Sequence, residues 1–184
     1  PSLKMLPIGN KVTSIGARAF QVTPLTDVTL GDAVKSIGNS AFRACRSLSS
    51  VEIPDTVTSL GYDVFRSCTS LESVIMSSLT SAISVGLFRD CSSLKVVTIP
   101  SSATNIYMRA FQGCSSLTSL SIPSSVTSIS RANVFTGCTG ITKLTLDTPL
   151  LESAVNFTAV YFPDSIDTLE ELVVGDSVKK LADK

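Results

Sequence analysis

Five cysteines stand at Cys45, Cys68, Cys91, Cys114 and Cys138, separated by 23, 23, 23 and 24 residues. Thiols can ligate a metal, form disulfides, attack electrophiles or fill a core, and spacing separates these uses. A structural metal site needs ligands in close pairs along the chain, usually with His among them. Here each Cys lies a full period from the next, and the chain has no His. Disulfides would suit a secreted chain. The count is odd, however, and stacked equivalent positions sit about one strand spacing apart, wider than the ~3.8 Å between bridged Cβ atoms. The spacing favours a ladder of reduced, buried thiols acting as small apolar groups. Disulfides, and metal or redox chemistry, are the lesser alternatives.

Other chemistry is harder to assemble. Without His the commonest general base is missing, and no Ser–His–Asp set is possible. The carboxylates are scattered, and the glycines fall singly rather than in a phosphate-cradling loop. No catalytic residue, cofactor or metal is expected, and the chain does not read as an enzyme. A second recurring column is basic: Arg43, Arg66 and Arg89 each follow a Phe directly. It could meet an acidic partner, but it is only three residues long and Asp63 and Asp90 lie beside it. Solvated Arg stems over apolar surface are the commoner outcome.

The elements that carry these columns repeat as well. Phe recurs at Phe20, Phe42, Phe65, Phe88, Phe111 and Phe135, at spacings of 22, 23, 23, 23 and 24. "FRACRSLSSVEIP", "FRDCSSLKVVTIP" and "FQGCSSLTSLSIP" are near-copies. A period in the twenties marks a leucine-rich solenoid, whose units cannot bury their apolar face alone and so stack. In one unit, Leu48, Val51 and Ile53 form the inward set of a half-buried strand. Pro54 and Asp55 end that strand. Val57 and Leu60 make a second short inward pair. Val64, Phe65 and Cys68 have the spacing of one α or 3-10 turn. The spacing predicts main strands starting near Leu3, Leu25, Leu48, Leu71, Leu94, Leu117, Ile141 and Leu169. The fold expected is a leucine-rich repeat solenoid of about eight repeats of ~23 residues. A parallel β-sheet lies on its concave face, with short strands and single α/3-10 turns on the other side.

The unit, summarised as CSSLxxVxIPxSVTSIGxxAFxxC, resembles the BspA-like class of leucine-rich repeats over residues 3–146. The resemblance implies a cell-surface or secreted protein that adheres to or binds other proteins, with host extracellular-matrix proteins among the candidates.

Residues 1–184 read as one domain: regular repeats over 3–146, an irregular longer repeat over 147–168 and a partial final repeat over 169–184. In the irregular part, "VYFPDSIDTL" offers a rival strand at Val160, but "LVVGDSVKKL" continues better from Leu169. Phe157 lies near the expected Phe slot. Phe157, Tyr161 and Phe162 are expected to cover the distorted coil, and Asn156-Phe157-Thr158 is a glycosylation sequon. The opening "PSLKMLPIGN" and the stop within a repeat suggest a piece of a longer protein.

The outward positions of the main sheet are the candidate binding residues: Asp27, Thr29, Ser50, Glu52, Ser73, Ile75, Val96, Thr98, Ser119, Ser121, Lys143 and Thr145. They are small, weakly charged and free of aromatics, which suits a broad contact with a protein or surface polymer better than a pocket. No regular T-x-T lattice supports ice or glycan binding. Charged residues are 16% and the net charge is zero, so neither nucleic acid nor an anionic membrane is indicated. No window is apolar for long enough to span a bilayer. The function expected is a non-catalytic interaction or adhesion module, extracellular or at the cell surface. The alternative is a passive spacer or targeting segment attached to another domain.

Overall fold

The structure is a computed structural model that describes residues 3–152, 161–164, 167–176 and 178. It is a solenoid of short parallel strands almost free of helix. In chain order the strands are β1 (Met5–Pro7), β2 (Ser14–Ile15), β3 (Asp27–Thr29), β4 (Ser36–Ile37), β5 (Ser50–Glu52), β6 (Ser59–Leu60) and β7 (Ser73–Ile75), followed by β8 (Ala82–Ile83), β9 (Val96–Val97), β10 (Asn105–Ile106), β11 (Ser119–Ile122), β12 (Ser128–Ile129), β13 (Lys143–Leu146) and β14 (Glu171–Val174). The odd-numbered strands and β14 line the main sheet; the even-numbered strands β2 to β12 line a second, narrower one. Among the described residues, six coils carry both strands and a stacked Phe. An irregular coil and a final main strand follow. The eight expected main strands are therefore present, while complete repeats number six.

Each strand starts two residues after the Leu or Ile expected to open it. Leu48, for example, donates its N–H back to Cys45 O at 3.1 Å and closes a turn before β5 begins. The leucine is fully buried beneath that turn. The final strand resolves the choice in the irregular region: β14 pairs with β13 in the register Lys143↔Glu171 to Leu146↔Val174. Val160, Asn156 and Phe157 lie outside the described residues.

The Phe-to-Cys segment is not the helical turn that its spacing predicts. Residues two before and two after each Phe have positive φ: Ser40 and Ala44 around Phe42, Asp63 and Ser67 around Phe65, Gly86 and Asp90 around Phe88. The hydrogen bonds explain why. Ser40, Phe42 and Ala44 donate to Tyr62, Val64 and Arg66 carbonyls of the next coil, while Ala41, Arg43 and Cys45 donate back within their own coil. A helical turn would keep every N–H inside its coil and leave this third seam unpaired, which is costly for buried backbone. Alternation serves both coils.

Val22 occupies one of these left-handed slots at φ 60°, although it is β-branched and 69% exposed. In the equivalent slot later coils carry Gly113 and Gly137. Relief of the left-handed strain is partly offset by the greater freedom of an unfolded Gly, so Val22→Gly is expected to stabilise by about 0.5–1 kcal/mol. A urea midpoint moving upward at constant slope would show it; a downward move would mean that the valyl methyls contribute packing.

The interior is a set of ladders. Phe20, Phe42, Phe65, Phe88, Phe111 and Phe135 stack with ring centroids 5.4–5.9 Å apart. Phe162 extends the stack 4.3 Å beyond Phe135, and both Tyr161 and Phe162 are buried. The sequence predicts that Tyr161 and Phe162 cover the distorted coil, as they do, but its period puts Phe157 near the slot that Phe162 fills. The irregular coil opens with a 3-10 turn, Pro149–Glu152. It keeps the seam in one further way. Gly113 N–H, two residues after Phe111, donates to Thr136 O at 2.8 Å in the next coil. Gly137, in the same slot one coil on, donates instead to the carboxylate of Asp164 at 2.7 Å.

Candidate functional site

The main sheet presents its outer face through the pleat. Inward Val51, Val74, Val97, Leu120 and Leu144 are buried, so their neighbours on either side point away from the core. Of the twelve candidate residues, eleven are exposed and Thr145 is half-buried. Registers place Ser50 beside Ser73 and Ser73 beside Val96, Glu52 beside Ile75, and Ser119 and Ser121 beside Lys143 and Thr145. Met5 and Pro7 precede Asp27 and Thr29 in the same two columns, and Glu171 and Val173 follow Lys143 and Thr145. The offset of two residues from Leu169 to Glu171, matching that from Ile141 to Lys143, was the available signal for the last pair.

The ladder is divided rather than continuous. Strands β1–β3, β5–β7–β9 and β11–β13–β14 form three hydrogen-bonded blocks. Between β3 and β5 a Ser49 N–H to Thr26 O bond of 3.4 Å bridges the gap. Strands of two to four residues have few bonds each, so one long contact interrupts the ladder without separating the coils. A cleft of about 400 Å³ lies over the first break, lined by Asp27, Thr29, Ser50 and Glu52. A second of about 400 Å³ lies between β7 and β9, lined by Ile75, Val96 and Thr98. Ile75 and Val96 are both more than half exposed.

Charge on this side is mostly paired along the stack. Lys95 meets Glu72 and Lys143 meets Glu171, each at 2.9 Å. Asp27 accepts from the Thr26 hydroxyl at 2.7 Å. Such exposed pairs fix side-chain orientation more than they stabilise.

The other two columns are structural. The Arg66 guanidinium lies 3.5 Å from Asp63 and 3.8 Å from Asp90, and Arg89 lies 3.5 Å from Asp90. Both Arg side chains are about three-quarters covered, so Arg66 and Arg89 form a largely covered ion-pair network on the turn side, while Arg43, the first of the column, is half-buried and joins none of the ion pairs among the described residues. The five cysteines are free thiols with no exposed surface. Cys45, Cys68, Cys91, Cys114 and Cys138 donate to the carbonyls of Phe20, Phe42, Phe65, Phe88 and Phe111 one coil back, at 3.0–3.2 Å. Burial pushes all five thiols up, Cys91 and Cys138 to about 12. A thiol held protonated in this way is a poor nucleophile and a poor metal ligand. In the first coil Thr23 takes the Cys position and donates to Phe20 O at 2.6 Å.

With the geometry in view, the decisive comparison is the family model for the BspA type leucine rich repeat region, which matches six copies over residues 13–142 and 58–183. The chain belongs to the BspA-type leucine-rich repeat family. Solved structures of leucine-rich repeat proteins agree in fold. A leucine-rich repeat protein of T. pallidum is 24% identical with a TM-score of 0.74, covering 80% of this chain and 74% of that one. One from Eubacterium ventriosum is 21% identical with a TM-score of 0.71, covering 97% of this chain and 44% of that one. A leucine rich cell surface protein from Faecalibacterium prausnitzii is 22% identical with a TM-score of 0.54, covering 86% of this chain and 62% of that one. This chain thus spans less than two thirds of two of these proteins. No curated protein matches it. Leucine-rich repeats are in general a non-enzymatic fold whose extended surfaces bind partners. Among the described residues, no helix is long and apolar enough to cross a membrane.

Proposed function

We propose that this chain is a non-catalytic interaction module of a surface or secreted protein. It binds a protein or surface polymer, a host extracellular-matrix protein being the first to try, through the outer face of the main sheet. The observation that carries the reading is the face itself. Two columns of solvent-facing side chains run across eight strands, while every Cys and nearly every Phe is spent on the core. The breadth of the face, its shallow clefts and its short Ser and Thr side chains suit an extended contact of modest affinity rather than capture of a small molecule.

The test is to charge the centre of that face. Ser73→Arg with Ser119→Arg alters two exposed positions two strands apart and is expected to leave the melting temperature unchanged. Binding to an immobilised panel of matrix proteins and surface glycans is expected to weaken about tenfold or more, because two unpaired cations enter a weakly charged contact. Arg43→Ser with Arg66→Ser and Arg89→Ser is expected to cost stability through the lost ion pairs but to spare binding at temperatures where the protein stays folded. Binding that survived the sheet-face changes and vanished with the Arg column would place the contact on the turn side. No binding to any panel member would favour the spacer reading.

A further inference from the structure

We propose a second interaction surface on a different side of the solenoid, at the corner after the narrow sheet, fitted to an acidic protein segment with an apolar anchor. Main-sheet positions carry no aromatic side chain, yet two of the chain's three tyrosines are exposed at this corner. Tyr62 is 52% exposed, Tyr107 45% and Met108 42%. The cross-coil bonds Ser40 N to Tyr62 O, Asp63 N to Val85 O and Gly86 N to Met108 O set Tyr62, Val85 and Met108 one above another in consecutive coils. That stack makes the patch contiguous, with Tyr62 and Met108 about two strand spacings, ~10 Å, apart. Tyr107 sits beside it and lines a cleft of about 200 Å³ with Ser59, Leu60, Thr80, Ala82 and Ser84. The cleft lies where the narrow sheet is interrupted, between β6 and β8. Tyr107 lines this otherwise small-residue cleft, and the exposed Tyr62 and Met108 belong to the stack beside it rather than to its lining; Tyr and Met are the side chains enriched at binding anchor sites.

Charge selects the occupant. Asp63, the carboxylate next to Tyr62, is engaged by Arg66. Arg109 and Arg131 are both exposed, and none of the ion pairs among the described residues includes them. Arg131 is the extra residue of its coil. Ser130 N bonds Ile106 O as the regular spacing requires, and Arg109 N then bonds Ala132 O, so Arg131 is extruded between the two. The patch therefore pairs an apolar Tyr–Met surface with two guanidinium groups that form no ion pair among the described residues, and such groups suit bidentate contacts with carboxylates. The partner segment would carry Leu or Phe for the cleft and Asp or Glu on either side of it.

Because the chain has three Tyr and no Trp, and Tyr161 is buried, tyrosine emission reports mainly on this corner. The probe is a short synthetic peptide with two leucines between glutamates and no aromatic residue, set against its lysine-for-glutamate counterpart. The acidic peptide is expected to change tyrosine emission saturably and the lysine peptide to leave it unchanged. Arg109→Glu with Arg131→Glu is expected to weaken the acidic peptide about tenfold or more and to allow the lysine peptide to bind. With labelled peptide, Tyr62→Ala with Tyr107→Ala is expected to lose binding although both arginines remain, and Ser73→Arg with Ser119→Arg is expected to have no effect. All substituted positions are exposed, so an unchanged circular-dichroism melt accompanies each variant. Equal affinity for the two peptides, the absence of a saturable response, or loss of binding through the main-sheet variant would each overturn the assignment, the last by placing the contact on the main-sheet face.

Discussion

Phe88→Ala is expected to destabilise the protein by about 3–5 kcal/mol, the range for emptying a fully buried aromatic site. Phe88 has no exposed surface and stacks between Phe65 at 5.9 Å and Phe111 at 5.7 Å. Its removal takes away two ring contacts together with the transfer term, and the coils cannot collapse into the void without breaking the seams on either side. Phe20→Ala is expected to cost clearly less. Phe20 is half-buried and stacks on one side, against Phe42 at 5.4 Å. Urea melts of both variants supply the comparison. A loss below about 1 kcal/mol for Phe88→Ala at unchanged slope would contradict the stacked core, and equal losses for the two would mean that unfolding is not sensitive to position along the stack.

The second large effect concerns the thiols. In native buffer near neutral pH, all five cysteines are expected to resist an aromatic disulfide reagent, and all five to react at once in guanidinium. Reaction requires opening of the coil, so a domain stable by about 5 kcal/mol or more protects its thiols by several thousand-fold. Protonation adds to this, since burial pushes Cys91 and Cys138 to about 12 from an ordinary thiol value of 9.0. Fewer than five reactive thiols in denaturant would reveal a disulfide, and rapid labelling of the native chain would reveal a ladder open to solvent. The same shifts set a pH trend. The folded state holds these protons more tightly than the unfolded chain, so their contribution is complete below about pH 9. As pH rises through the window up to about 12 the unfolded thiols ionise first and stability falls. Cys91→Ala is expected to lose part of that alkaline slope; a variant with the full slope would assign it to other groups.

Much of the architecture is legible in the repeat. The spacing of Phe42, Phe65 and Phe88 forces equivalent positions into register, and the pleat then sends Val51 inward and Ser50 and Glu52 outward whatever the rest of the chain does. The Cys ladder and the twelve outward positions follow from those two facts alone. The ladder's hydrogen bonds do not, because a thiol donating to a Phe carbonyl one coil back has no counterpart along a single coil.

What the chain could not declare is set by contacts between coils. Local spacing around Val64, Phe65 and Cys68 reads as a helical turn, since one coil alone has only its own carbonyls to bond. Stacked coils offer a second set, and the backbone adopts positive φ at Asp63 and Ser67 to reach it. For the same reason Phe162, 27 residues after Phe135, fills the stack although its spacing departs from the period, because the open face of a buried ring accepts whichever Phe the longer coil delivers. Asp164 then supplies the acceptor that the irregular backbone does not give to Gly137. The Tyr62, Tyr107 and Met108 corner was equally invisible along the chain. Tyr62 lies two coils before the adjacent pair Tyr107 and Met108, and the three become one surface only when the coils are laid one on another.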